Sequence, residues 1–285
     1  MKIIYLGTGG AEGFPSVFCE CAACKKVRRL GGHNIKTRSC TLVDNVLIDL
    51  SPDIFMQSVM NHLSLSQVSN VVMTHSHTDH LNTLEIRLRM RDMASILEPE
   101  QKKKIKIYGN STVQRVIMDA ISKDCHVNPA RLEFQEIRAS ERIEADGLEF
   151  ISLRANHKND EESLIYVVQN KTGCFLYAND SGTLPEETLA YIREQNFCFD
   201  LVSMDTGRGT LPGDGHMGLS ENMCLRGQLK EMGAVHKNTR YYLNHFSHMC
   251  GLTPDEYQEV VEKHGFYLTY DGMKLEIERG RVCQR

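Results

Sequence analysis

No apolar run in this 285-residue chain approaches the roughly 18 residues that a membrane-spanning helix requires. Charge of one sign is equally scarce: 33 basic against 37 acidic side chains give a formal charge of −4, and there is no basic block. That argues against a protein held to nucleic acid by charge. Ten cysteines fall well short of the roughly 8–10 % typical of a disulfide scaffold. The opening MKIIYLGTGG breaks into glycines and has neither the apolar region nor the cleavage site of a secretory leader. Mostly free thiols and a cytoplasmic location are the matching expectation. Repeats of fixed period and low-complexity linkers are absent. What is present is ordinary globular usage, 41 % hydrophobic and 25 % charged, which excludes a disordered chain.

The periodicity alternates between strand and helix. Strand patterns occur at Ile3–Leu6, at Cys40–Val43 and Val46–Ile48 around an Asp44-Asn45 turn, and at Asn70–Met73 and Ile105–Tyr108. Others cover Leu148–Leu153, Ser163–Val168, Cys174–Ala178, Leu201–Met204 and Tyr241–Leu243. Helices are expected at Pro52–Asn61 with Ser51 as N-cap, Leu84–Ile96, Pro185–Glu194, Ser220–Met232 and Pro254–Lys263. A last hairpin is expected around Asp271-Gly272. Strands separated by helices suggest two sheets with helices packed outside, in one α/β domain over 1–285. The stretch from about 92 to 135 reads as an enlarged lobe whose lysines form a solvated face.

The strongest chemical signal is Thr74-His75-Ser76-His77-Thr78-Asp79-His80, three histidines and an aspartate within six positions, directly after an apolar strand. Imidazole nitrogen and carboxylate oxygen are ligands for zinc or manganese. A tight loop there can aim His75 and His77 at one metal and turn Asp79 and His80 to a second. His157, Asp180 and His245 each lie just past a strand pattern and would complete a two-metal site. A separate cluster, Cys19-x-Cys21-x-x-Cys24, has the spacing of three thiolates on a loop converging on one zinc. Its fourth ligand must come from elsewhere, with His33, Cys40 and His248 as candidates.

The run His75-x-His77-x-Asp79-His80, followed in order by His157, Asp180 and His245, resembles the metallo-β-lactamase superfamily. Gly7-Thr8-Gly9-Gly10-Ala11-Glu12-Gly13-Phe14-Pro15, with the cysteine cluster after it, is similar to the PhnP-type phosphodiesterase subgroup. The resemblance implies an αββα sandwich of two mixed β-sheets with the site along one edge. It assigns His75, His77 and His157 to a first divalent ion, Asp79, His80 and His245 to a second, and Asp180 to both. It selects His248 as the fourth ligand of a structural zinc. It also makes Asp79 and His216 the candidate catalytic residues, His216 as an acid near the substrate phosphate in the glycine-rich loop before a helix. Arg208, in the same loop, reads as a solvated arginine. The implied activity is metal-assisted hydrolysis of a small phosphodiester, with a cyclic nucleotide or ribose phosphate as substrate class, and a homodimer. Alternatives are a hydrolase of the kind used in making the quinone PQQ, another hydrolase of the same fold, or a metal-binding scaffold without catalysis. Nucleic-acid and membrane partners are not expected.

Overall fold

The computed structural model describes residues 1–285 apart from Glu100, Lys102, Lys103, Asp214 and Arg279, so part of the lysine face expected near 102–104 lies outside the described residues. Among the described residues the strands are β1 (Lys2–Gly7), β2 (Cys40–Val43), β3 (Val46–Ile48), β4 (Asn70–Val72), β5 (Ile105–Gly109), β6 (Leu132–Glu136), β7 (Arg142–Ala145), β8 (Leu148–Arg154), β9 (Leu164–Asn170), β10 (Gly173–Ala178), β11 (Phe199–Asp205), β12 (Val235–Asn244), β13 (Tyr267–Leu268), β14 (Met273–Glu278) and β15 (Arg281–Gln284). The helices are α1 (Ala22–Leu30), α2 (Ile54–Met60), α3 (Thr83–Met90), α4 (Ser111–Ser122), α5 (Glu186–Glu194), α6 (Leu219–Glu231) and α7 (Pro254–Glu262).

Strands order as β15-β14-β1-β2-β3-β4-β5-β6 in one sheet and β13-β12-β11-β10-β9-β8-β7 in the other. Period-two alternation decides what each face buries. In β9, Leu164, Tyr166 and Val168 point between the sheets, while Ile165 and Val167 point to the outer helices. Ile3 and Tyr5 of β1 join the inter-sheet core, and Leu6 packs on the other face beneath α2, α3 and α4. Both faces of both sheets are therefore apolar, as an αββα sandwich requires. Among the described residues no helix is long and apolar enough to cross a membrane.

Each sheet is mixed, and its parallel part places the site. β3, β4, β5 and β6 run parallel in the first sheet, and β10, β11, β12 and β13 in the second. Ile48 lies opposite Val72, and Ala178 opposite Met204, which lies opposite Leu243. The carboxyl ends of these strands thus open along one edge, where Asp49, His75, Asp180, Asp205 and His245 follow.

Several boundaries differ from the sequence expectation. Helix α2 begins at Ile54 rather than Pro52, because the Ser51 hydroxyl accepts the Asp53 N–H in a turn before the helix. Helix α3 stops at Met90, and Arg91 beyond it is extended with its guanidinium on Asp124 at 2.5 Å. Asp271-Gly272 is not a hairpin: β13 and β14 belong to different sheets. The chain crosses between the sheets there, and the Asp271 carboxylate accepts from the Thr8 hydroxyl and from Thr37 N–H and hydroxyl at 2.6–2.7 Å. The segment 92–135 supplies β5, α4 and most of β6, of which only β5 was read from the pattern.

Candidate metal centres

Residues 73–81 leave β4 as a loop whose turns are closed by backbone bonds from His80 N and Leu81 N to the His77 carbonyl. That winding throws His75, His77, Asp79 and His80 towards the edge where β10 delivers Asp180 and β12 delivers His245. Two donor clusters form, His75/His77/His157/Asp180 and Asp79/His80/Asp180/His245, each with its ligand atoms within 4.8 Å of one another, and Asp205 and His216 make a further such group with Asp180 and His245. Asp180 is common to both. Its Oδ2 lies 3.2 Å from His75 Nε2, 3.1 Å from His80 Nε2 and 3.2 Å from His157 Nε2, while Oδ1 lies 3.8 Å from His245 Nε2. His77 presents Nδ1, 3.1 Å from His157 Nε2. Three non-glycine residues of this edge, Asp49, Asp180 and His245, hold φ between +52° and +64°. Such left-handed backbone is costly outside glycine and persists where the surroundings enforce it.

The residues present fit divalent cations. His75 Nε2, His80 Nε2, His245 Nε2 and Asp180 Oδ1 are buried with no hydrogen-bond partner among the described residues, although they crowd together. Buried polar atoms are rarely left so, and a cation in their midst would satisfy them all. The electrostatics agree. Burial lowers His157 to about 4, and it also lowers His77, so both are neutral imidazoles at pH 7, the ligating form. Burial likewise opposes charge on His80, but Asp49 and Asp180 overcome it and raise this group well above its usual range. Burial would raise Asp180, yet His245, His75 and His80 outweigh it and hold the carboxyl well below its ordinary value. The pocket is a carboxylate-rich cage that attracts positive charge.

Outer carboxylates orient the ligands, and these the sequence reading missed. Asp49, just past β3, lies 2.7 Å from His80 Nδ1 and accepts from Thr74 N–H at 2.8 Å, so His80 turns Nε2 inward. Asp205, at the end of β11, faces both His216 Nδ1 at 3.1 Å and His245 Nδ1 at 3.3 Å, and accepts from Gly207 and Met217 N–H. Glu161 accepts from Ser76 N–H at 2.6 Å and fixes the loop between His75 and His77. The strand-end rule that singled out Asp180 would have found Asp49 and Asp205 too; nothing local marks Glu161.

His216 stands beside the cage, its Nδ1 also 3.2 Å from Asp180 Oδ1. Burial depresses its pKa, but the Asp205 hydrogen bond and charge outweigh this and lift it to about 9. Arg208 donates through Nε to the Pro212 carbonyl at 3.1 Å.

The second cluster joins Cys19, Cys21, Cys24 and His248, again with ligand atoms within 4.8 Å. His248 Nδ1 lies 3.7 Å from Cys19 Sγ and 3.6 Å from Cys21 Sγ. Of the other candidates, Cys40 is buried with its thiol on the Asp49 carbonyl, and His33 stacks on Tyr270 at 3.9 Å. The expected placement of all three cysteines on a loop is corrected here, because Cys24 lies in α1 and Cys21 caps it, its sulfur accepting the Cys24 N–H. Burial pushes Cys21 up, but hydrogen bonds from Cys24 N–H, Cys19 and His248 prevail and bring the thiol down to about 6. Three sulfurs and one imidazole converging in this way are the donor set of a closed zinc site. Cys21→Ser is expected to lower the melting temperature by several degrees, because the binding energy of a zinc ion held there would be folding energy. Differential scanning fluorimetry with and without zinc checks it; an unchanged transition in zinc would sink the assignment.

The beta-lactamase superfamily domain matches residues 44–246. The chain belongs to the metallo-β-lactamase superfamily, as a hydrolase fold with a His/Asp metal site. It is 23 % identical to an octanoyltransferase of Porphyromonas gingivalis over 98 % of this chain and 52 % of that protein, so it spans about half the length of that curated relative. Among solved structures, a diphosphatase from the PhnP family superposes with a TM-score of 0.72 at 23 % identity, covering 100 % of this chain and 99 % of that one. PqqB from Methylobacterium extorquens superposes at 0.65 with 16 % identity, over 97 % and 100 % of the two chains. At such identities the structural likeness speaks for the fold.

Proposed function

We propose that this chain is a binuclear metal-dependent phosphodiesterase acting on a small phosphodiester such as a cyclic nucleotide or ribose phosphate. The observation that carries the reading is the pair of donor clusters sharing Asp180, with His216 held against the same carboxylate. His75, His77 and His157 would hold one cation, Asp79, His80 and His245 the other, and Asp180 both. When bound, two divalent cations, zinc or manganese, would supply a water ionised near neutral pH and positive charge over the phosphoryl oxygens.

The protein's own groups do the rest. Asp49 and Asp205 hold imidazole rings in one orientation, so the donors need not reorganise during the reaction. Asp205 takes the Nδ1–H of His216, which leaves Nε2 to carry a second proton. With its pKa raised, His216 keeps that proton at neutral pH and can give it to the departing alkoxide. The PhnP-family diphosphatase supports phosphoryl chemistry by analogy of fold. The match covers about half of the octanoyltransferase, and we assign no acyl transfer to this chain.

Dialysis against a chelator is expected to reduce hydrolysis of bis(p-nitrophenyl) phosphate to background, and zinc or manganese to restore it. Reconstituted protein should contain two metals per chain at the His/Asp site. Activity that survives complete metal removal would overturn the reading, and fully loaded protein without any phosphodiesterase activity would favour a scaffold.

A further inference from the structure

Glu12 belongs to neither donor cluster, yet it stands between them. One carboxylate oxygen accepts the Ser247 hydroxyl and lies 3.5 Å from His248 Nε2. A Cβ built on Gly10 would come into ordinary contact with His245 Cε1 at 3.4 Å and Glu12 Oε2 at 3.7 Å, so this loop lies directly against the His245 ring. Backbone bonds from Gly10 N to the Phe246 carbonyl and from Phe246 N to the Thr8 carbonyl bind the same two segments together. The segment 245–248 thus carries a His/Asp-site histidine at one end and the thiolate-site histidine at the other, with Glu12 on the hydroxyl between them.

The two nitrogens of His248 face different partners. Nδ1 faces the sulfurs of Cys19 and Cys21, and Nε2 faces Glu12. A ligating nitrogen must offer its lone pair, so the ring proton must sit on the other one, and a carboxylate there fixes that tautomer and raises the basicity of the ligand. We propose that Glu12 is the positioning carboxylate of the cysteine centre. It holds the His248 proton on Nε2, keeps Nδ1 turned to the thiolates, and through Ser247 ties the loaded centre to the loop bearing His245. The proposal rests on the reading that Cys19, Cys21, Cys24 and His248 hold a metal.

Cobalt(II) is the probe, because only a site with cysteine thiolates gives thiolate-to-cobalt charge-transfer absorption, and the His/Asp cage is silent in that band. The full chain is stripped of metal, titrated with cobalt, and the bound cobalt is then competed with a chelator. Wild type is expected to show the band and Cys21→Ser to lose it. Glu12→Ala should keep the band but bind cobalt about 10–100-fold more weakly, the usual effect of losing such a partner. Glu12→Gln, whose amide oxygen still accepts a hydrogen bond, should recover part of the loss. Ser247→Ala, which removes the tie and the hydroxyl that accepts the Met249 N–H but keeps the carboxylate, should bind cobalt as wild type does. Equal affinity in Glu12→Ala and wild type overturns the role of Glu12 while leaving the centre standing. An equal loss in Ser247→Ala would show Glu12 to be loop scaffolding and would also overturn it. A wild-type protein that shows no more band than Cys21→Ser removes the centre itself, and the proposal with it.

Discussion

Asp180→Asn is expected to bind at most one metal per chain at the His/Asp site and to lose phosphodiesterase activity by about 10³-fold or more. The size follows from position. Asp180 is the one residue common to both donor clusters, with Oδ2 within 3.2 Å of three imidazole nitrogens. Asparagine keeps the shape and tolerates the φ of +52° found there, so the variant should fold. Its missing charge leaves the imidazoles around it without the anion that would gather two cations. Alanine would confuse this result, because it adds backbone strain to the loss of charge. Metal content by atomic emission, read beside the rate, separates the cases: two metals with a normal rate would show that Asp180 is not the shared ligand.

The second large effect is expected at His216. Replacement by alanine should cost about 10²–10⁴-fold on alkyl phosphodiesters, whose leaving alkoxide needs a proton, and much less on activated aryl esters. Metal content should stay the same, since His216 is not assigned as a ligand. The pH dependence has a defined sign. The acid form exists below the raised pKa of about 9, so activity on alkyl esters should fall as pH rises through the pKa of His216. Two cations beside Asp180 would move that limb to lower pH by repelling the imidazolium. In the alanine variant the limb should vanish. Equal losses on both ester types would mean that His216 binds phosphate without delivering a proton, and lost metal would mean that it is a ligand after all.

The sequence by itself determined the fold class and the residues that the edge brings together. Strand-type runs ending at His75, Asp180 and His245 are local patterns, and a dense histidine–aspartate loop after a strand is legible without tertiary information. The cysteine spacing is local in the same sense. The partners of these residues were not legible. Asp49 and Asp205 share with Asp180 only a place at a strand's end, while nothing in the neighbours of Glu161 and Glu12 along the chain distinguishes them from the solvated majority of the 37 acidic side chains. Their roles come from contacts across long separations, such as Asp49 with His80 and Glu12 with His248. The choice among His33, Cys40 and His248 is of the same kind, because only packing shows which one reaches the sulfurs. Helix α1 is not legible in the sequence because its buried stripe is just Ala23, Cys24 and Val27, too short for periodicity to declare. Periodicity reports which side of an element is buried. It does not report which element lies opposite, and that was decided by the parallel pairing of β3 with β4, of β10 with β11 and of β11 with β12, which brings their carboxyl ends to a common edge.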